Sequence, residues 1–426
     1  MDLHNAGNII VKNSKSQFIK DFIKLLTLTS PNKVLPIGND LYEIEDKINT
    51  CKTEFTDDVD DASTAACTDT STVVLTSNPS SFASNESAEE YFSKCEYNRI
   101  SVLGSGSFGT VYLTEYKDQV YAVKSLPKIK IHKLDVDQIL LEKQILMQMS
   151  DPFTVKLFGT YQTKNELCFI TEVIDHGDLF QAIYDGDRLS HEVCVFYGAC
   201  ILMGLDYIHS KHVVYRDLKP ENIMIGENGY PKIIDFGLAK QLPYMKLDNG
   251  IMTRFSRCYT LCGTPEYVAP ELIIGKSYDY GIDIWAFGVL LYEMICRYTP
   301  FTDGNKNKGV PKNDRLTQLF TNIVMCGKNG IEISHKVDKK TDGTPNARNL
   351  ITQLLNGNIE SRLGKNNTPK NLLSTPYFLS TGINVDELYN QTIEAPIIQP
   401  QYIGRDIETA PQIEEYDDDQ DIFKLF

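Results

Sequence analysis

The sequence predicts an α+β chain in which a small, sheet-rich lobe precedes a larger helical one. Three observations carry this. Strand patterns come first, at Ile100–Leu103, Thr110–Glu115 and Val120–Ser125, around a glycine-rich turn. Long apolar helical stretches come later, at His191–Ser210 and around Trp285. A chain of 426 residues with 42% hydrophobic content can bury a sizeable core without disulfides or metal. Strands first and helices later describe segregated layers rather than alternating βαβ units.

Taken in order, residues 1–50 form an N-terminal extension. Within it, Phe18, Ile19, Phe22, Ile23 and Leu26 follow helical spacing over Ser16–Leu28, an amphipathic helix. Residues 51–95 are rich in Ser and Thr and read as a disordered linker. The folded part is expected over 98–377, with a helix at Leu134–Met149 and a strand at Cys168–Val173 between the first strands and the long helices. Residues 378–426 form a C-terminal tail, of which the segment from Glu394 is acidic and too poor in apolar side chains to fold alone.

Charge and cysteine usage exclude several classes. The net charge is −15, with −7 in residues 1–95, −7 in 394–426 and about −1 between them. This gives no basis for nucleic acid or an anionic membrane as partner and suits a cationic peptide. The best membrane-span candidate, Ile282–Cys296, contains Asp283 and Glu293, so no transmembrane segment is expected. The first ten residues lack a basic region followed by an apolar one. Ten cysteines without framework spacing read as reduced thiols of a cytoplasmic protein, with nuclear entry open.

The chemistry sits in three constellations. Gly104-Ser105-Gly106-Ser107-Phe108-Gly109 lets a backbone approach phosphate oxygens without side-chain obstruction. A dinucleotide fold would open a helix there, whereas Thr110-Val111-Tyr112-Leu113 continues as a strand and leads to a lysine, Lys124. Glu142 lies on an otherwise apolar helix face with Ile145, Leu146 and Met149. A carboxylate there needs a partner, and Lys124 is the natural one. Then Tyr215-Arg216-Asp217-Leu218-Lys219-Pro220-Glu221-Asn222 follows a buried helix, and Asp235-Phe236-Gly237 follows an apolar strand. An Asp to accept a hydroxyl proton, a Lys for phosphate, and Asn222 with Asp235 as hard oxygen ligands are what Mg²⁺-assisted phosphoryl transfer requires.

With these motifs the sequence resembles the protein kinases over roughly residues 98–380: LGSGSFGTV, YAVK, YRDLKPEN, DFG and APE. YRDLKPENIMI, DFGLAK, YTLCGTPEYVAPELI and the terminal Phe423-Lys424-Leu425-Phe426 are similar to the AGC group, and within it to cAMP-dependent catalytic subunits. The resemblance implies the bilobal kinase fold, ATP and Mg²⁺, and transfer of the γ-phosphoryl to Ser or Thr. It implies that Lys124 contacts the α- and β-phosphates, Glu142 positions Lys124, Asp217 is the base, Lys219 meets the γ-phosphate, and Asn222 and Asp235 hold Mg²⁺. Leu103, Val111, Ala122 and Met224 would sandwich adenine, the backbones of Glu172 and Val173 would bond it, and Asp178 would reach the ribose. Thr171 takes the gatekeeper position. Arg362 with Glu271 match a buried structural ion pair, and Asp283 matches the acid that holds the catalytic-loop backbone. Glu221, Glu293 and Asp178 match acids that read basic substrate residues, and Leu261, Pro265 and Val268 an apolar wall beside the phosphorylated residue. The preferred substrate would be Arg-Arg-x-Ser/Thr-apolar.

The sequence also departs from the pattern. The segment from Asp235 to Glu271 carries extra material at Pro243–Arg257, and 303–313 read as a loop insertion. Thr260 matches the activating phosphothreonine, with Arg216 and Lys240 as cationic partners, but Gln138 stands where a histidine is usual. Ile413 stands where an aromatic normally caps adenine. Only six residues separate Tyr416 from Phe423, which leaves open whether FKLF docks on the small lobe. A cyclic-nucleotide-binding regulatory subunit would have to be a separate chain, since the residues before 95 are polar and low in complexity. A cGMP-dependent type, another AGC kinase, or a catalytically silent scaffold of the same fold remain alternatives.

Overall fold

The computed structural model describes residues 98–106, 109–242, 244–246, 252–254, 262–302, 315–329, 346–364, 368–396, 405–407, 410–414, 416, 422–423 and 426. The expected N-terminal helix and linker, Ser107, Phe108, Thr260, Leu261 and the 303–313 insertion lie outside the described residues.

The small lobe is an antiparallel sheet built from β1 (Asn98–Ser105), β2 (Thr110–Tyr116), β3 (Gln119–Pro127), β4 (Leu157–Gln162) and β5 (Glu166–Thr171). Strand order is β1-β2-β3-β5-β4. Its register pairs Val111 with Lys124 and Lys124 with Phe169, while Ala122 faces Thr171. Because side chains alternate along a strand, Val111, Ala122, Lys124, Phe169 and Thr171 share one face. The sequence pattern does not single out β4: Phe158 is exposed and a register shift interrupts the strand near Gly159. Across the sheet lies α1 (Lys133–Leu146), entered through a capping box in which His132 N–H donates to Asp135 at 3.3 Å. The helix stops before the expected Met149 because Gln148 and Met149 bond three residues back instead of four.

The large lobe is organised around two apolar helices after the short α2 (Leu179–Tyr184). α3 (His191–Ser210) matches its expected bounds and is mostly buried. It is long and apolar enough to cross a membrane, a test the sequence reading assigned to Ile282–Cys296, but here it is the core helix against the β7–β8 hairpin. Between them run β6 (Val213–Val214), β7 (Ile223–Ile225), β8 (Pro231–Ile233) and β9 (Lys240–Gln241). The extra activation-segment material contains a ribbon, β10 (Tyr244–Lys246) with β11 (Met252–Arg254). After the short α4 (Pro270–Ile273), every residue of α5 (Gly281–Cys296) is buried. α6 (Arg315–Asn329), α7 (Asn346–Leu354), α8 (Pro376–Leu379) and α9 (Val385–Tyr389) complete the lobe. Among the described residues no cysteine is in a disulfide, and Cys194, Cys200 and Cys296 are buried in the core.

Arg362 ties α4 to α5. It is buried, and its guanidinium meets Glu271 in two bonds of 2.6 and 2.8 Å, donates to Gly281 O and Asn356 O, and lies over Trp285.

The tail returns to the small lobe. β12 (Arg405–Asp406) adds a sixth strand beside β1, opposite Ser101 and Val102. The open question about the end of the tail is answered: it docks. Phe423 and Phe426 are buried; the Phe426 ring meets Phe169 edge-on at 5.2 Å, and its carbonyl accepts from Lys143 on α1. The Phe423 carbonyl accepts from Gln162 on β4 at 3.2 Å. Six residues suffice because Tyr416 is itself pinned at the sheet, its N–H donating to Asn165 and its ring against Phe423. Ile413 lines a small cavity with Ser105, Thr110, Tyr112, Ser125 and Glu166, on the sheet face opposite Lys124, so it does not cap the adenine side.

Removing one partner of a fully buried ion pair strands the other charge. Arg362→Leu should therefore lower the unfolding free energy by about 3–5 kcal/mol, read as a lower urea midpoint at unchanged slope.

Candidate active site

The face of β2, β3 and β5 that carries Lys124 is the roof of a cleft between the lobes. Lys124 Nζ donates to Glu142 on α1 at 2.7 Å and to Asp235 at 3.3 Å. The expected pair is thus formed, and Asp235 joins it. Burial alone would lower the Lys124 ammonium, but the facing carboxylates of Asp235 and Glu142 outweigh it and hold it well above its ordinary value. Lys124 in turn keeps Asp235 below the usual carboxylate range. Asp235 is delivered into the cleft because the next residue, Phe236, is fully buried with its ring against Tyr215 at 5.4 Å.

The glycine turn is closed by Gly106 N–H donating to Gly109 O at 2.8 Å. A side chain at Gly109 would run into the backbone oxygen of Ser125 on β3. That position therefore lets the hairpin lie flat on the sheet. Leu103 and Val111 are half-buried on its two strands, and Met224 is half-buried on the floor. Along the linker between lobes, the Glu172 N–H already donates to Lys156 O at 3.1 Å. What Glu172 has left for a base is its carbonyl, and its carboxylate is taken up by Lys232 at 2.7–2.8 Å. Thr171 Oγ1 donates to Ala122 O, which turns its hydroxyl toward the strand.

On the floor, Asp217 is gripped from three sides. Lys219 Nζ donates to Oδ2 at 2.8 Å, Asn222 Nδ2 to Oδ2 at 2.8 Å, and Thr264 Oγ1 to Oδ1 at 3.1 Å. Thr264 also accepts from Lys219 at 3.1 Å. The sequence reading missed Thr264; the signal available was its place directly before Pro265 in the GTPEYVAPE run. The loop that holds these groups hangs from Asp283, whose carboxylate accepts the N–H of Tyr215 and of Arg216 at 2.9 Å each and meets His209 at 2.7 Å. Arg216 sits at a positive φ of 70° and donates to Leu238 O and Tyr278. Its guanidinium thereby joins the catalytic loop to the segment after Asp235.

The three acids matched to substrate reading fall into different settings. Glu221 is half-buried at the start of a 3₁₀ turn. Asp178 caps α2, accepting from Gln181 N–H at 2.8 Å. Glu293 is buried at 4% exposure on α5, and both oxygens accept tyrosine hydroxyls, from Tyr184 at 2.6 Å and from Tyr267. Burial pushes its carboxyl up to about 8, with the negative charges of Glu266 and Glu221 adding to the effect and the Tyr184 bond opposing it. Pro265 and Val268 stand on the same stretch as Tyr267, Val268 buried and Pro265 half-buried.

The protein kinase domain model matches residues 97–378. The chain belongs to the protein kinase family, in its AGC group. It is 34% identical to a cAMP-dependent protein kinase catalytic subunit of Arthrobotrys oligospora over 72% of this chain and 53% of that protein. It is 34% identical to the cAMP-dependent protein kinase type 3 of Saccharomyces cerevisiae, over 72% of this chain and 70% of the relative. A cGMP-dependent protein kinase of Eimeria tenella is also 34% identical, over 76% of this chain and 31% of that protein. The chain thus spans about half the length of the first of these relatives.

Protein kinases use ATP and typically Mg²⁺, and the donor set here fits that ion. Among the described residues no cluster of three His, Cys, Asp or Glu side chains could cage a metal. Mg²⁺ takes one or two protein oxygens and completes its shell with phosphate and water. Asp235 and Asn222 supply two such oxygens, since the Asn222 amide nitrogen is spent on Asp217 and leaves its oxygen as the ligand atom. Gly109→Ala forces the hairpin off β3, and should weaken binding of a fluorescent ATP analogue by about tenfold or more at an unchanged melting temperature.

Proposed function

We propose that this kinase is a serine/threonine protein kinase of the cAMP-dependent type, transferring the γ-phosphoryl of ATP to Ser or Thr in segments of the form Arg-Arg-x-Ser/Thr-apolar. The observation that carries the reading is the Asp217 cluster, held by Lys219, Asn222 and Thr264 in the cleft roofed by the Lys124–Glu142–Asp235 trio. A silent scaffold has no use for so complete a set.

Lys124, charged and fixed by two carboxylates, orients the α- and β-phosphates, and the glycine hairpin covers them. Mg²⁺, held by Asp235 and Asn222, would neutralise charge that develops on the β- and γ-phosphate oxygens. The substrate hydroxyl oxygen attacks the γ-phosphorus, the bond to the β,γ-bridging oxygen breaks, and ADP leaves. Asp217 accepts the hydroxyl proton, and its three donors keep one carboxylate oxygen aimed at the attacking group. Lys219 stands beside it, placed for the phosphoryl group in transit. Asp217→Asn should lower kcat by about 100-fold or more in a peptide phosphorylation assay while leaving the ATP KM within about threefold.

Substrate selection rests on Glu221, Asp178 and Glu293, each able to pair an arginine through two parallel bonds. Leu261, Pro265 and Val268 would face the following apolar residue. Glu293 has to be ionised to pair an arginine two residues upstream of the target, and Tyr184 has to yield. With its carboxyl raised to about 8, the free enzyme carries it largely protonated at neutral pH. kcat/KM for a peptide bearing that arginine should therefore rise between about pH 6.5 and 8.5. A peptide lacking the arginine, or the Glu293→Gln variant, should show no such rise; a flat profile for the wild type with both peptides would remove Glu293 from substrate reading.

The cAMP-dependent type is favoured over the cGMP-dependent one by the docked Phe423 and Phe426. It implies a separate cyclic-nucleotide-binding regulatory subunit as partner. Thr260 is the proposed activating phosphosite, with Arg216 and Lys240 matched as its cationic partners, and its phosphate would bring about −1.5 to −2 charges to them.

A further inference from the structure

Gln138 lies on α1 one turn before Glu142, so the two side chains share a face. Its amide nitrogen donates to Gly237 O at 3.0 Å and to Ala239 O at 3.2 Å. Both partners are carbonyl oxygens, so the amide can sit only with its nitrogen toward them. Gly237 N–H in turn donates to Asp235 at 3.1 Å, and a side chain at Gly237 would sit 3.6 Å from the Glu142 carboxylate. The bonds close a ring: Lys124 to Glu142, the α1 backbone to Gln138, Gln138 to Gly237, Gly237 to Asp235, and Asp235 back to Lys124.

We propose that Gln138 is a positioning residue that seats α1 on the segment after Asp235 through neutral hydrogen bonds, and so keeps Glu142 on Lys124 without a charge supplied from residues 255–261. The proposal rests on the kinase reading above. Its physical core is the two N–H donors of one amide. A carboxamide reaches both carbonyls, whereas a carboxylate of the same shape would turn acceptors toward acceptors and open the ring. The side chain touches no phosphate, adenine or peptide position, so it acts on turnover only through Glu142 and Lys124. A helix seated in this way makes the paired Lys124 a property of the resting chain, with phosphate on the long segment adding to it rather than creating it.

The test compares wild type, Gln138→Ala, Gln138→Glu, Thr260→Ala and the Gln138→Ala/Thr260→Ala double variant. Readouts are peptide phosphorylation, amide hydrogen exchange over 236–241, and melting temperature. Gln138→Ala and Gln138→Glu should each lose about tenfold in kcat and about tenfold in exchange protection at 236–241, with the melting temperature within about 2 °C of wild type. Thr260→Ala should cost about tenfold more in the Gln138→Ala background than in the wild-type one, a non-additivity that a merely structural residue would not produce. Variants within about twofold of wild type, or a strictly additive cycle, overturn the proposal. A wild-type chain that transfers no phosphoryl group would sink the functional reading instead, and the exchange arm would still decide whether Gln138 seats the helix.

Discussion

A buried carboxylate needs a cation beside it, and the cleft is arranged to meet that need by pairing Glu142 with Lys124. β3 places the lysine, α1 brings Glu142 from one side, and the segment after β8 brings Asp235 from the other. Glu142 is the buried member and needs the cation, while Lys124 and Asp235 keep part of their surface open to the cleft. These ion pairs, with the Gln138 bonds to Gly237 and Ala239, join the small lobe, its helix and the floor segment.

The floor follows a second rule: polar groups in the large lobe are held by backbone and buried acids. Asp283, itself nearly inaccessible, accepts two loop N–H groups and so presents Asp217 from a rigid support. The Arg362–Glu271 pair serves the same purpose below, joining the APE stretch to α5. Glu293 is the exception among the substrate-side acids. Two tyrosine hydroxyls take the place of solvent, and burial raises its carboxyl.

The tail extends this logic to the small lobe, whose sheet would otherwise leave its β1 edge and the groove beside α1 open. β12 covers the edge at Ser101 and Val102, immediately before the glycine turn. Phe423 and Phe426 fill the groove, and Lys143 and Gln162 donate to their carbonyls. A segment too polar to fold alone thus becomes part of the roof of the site.

Much of this was legible in the residues. Lys124, Glu142 and Asp235 stand out because an ionisable group beside apolar neighbours has few reasons to be there, and Asp217 and Asn222 because a dense polar run directly follows a buried helix. The long helices were legible for the opposite reason: a long run of apolar-rich positions in helical register has no other stable arrangement. What stayed hidden were contacts between distant parts of the chain. Thr264 on Asp217, Gln138 on the Gly237 and Ala239 carbonyls, the two tyrosines on Glu293, and Ile413 on the far face of the sheet each depend on distances that no local pattern encodes. β4 and β12 were missed because each is held by a neighbouring strand rather than by its own alternation. Local composition decided which segments are helix or strand and which groups must find partners; tertiary structure decided who the partners are, because a hydrogen bond or ion pair is settled within a few ångströms and sequence separation carries no such measure.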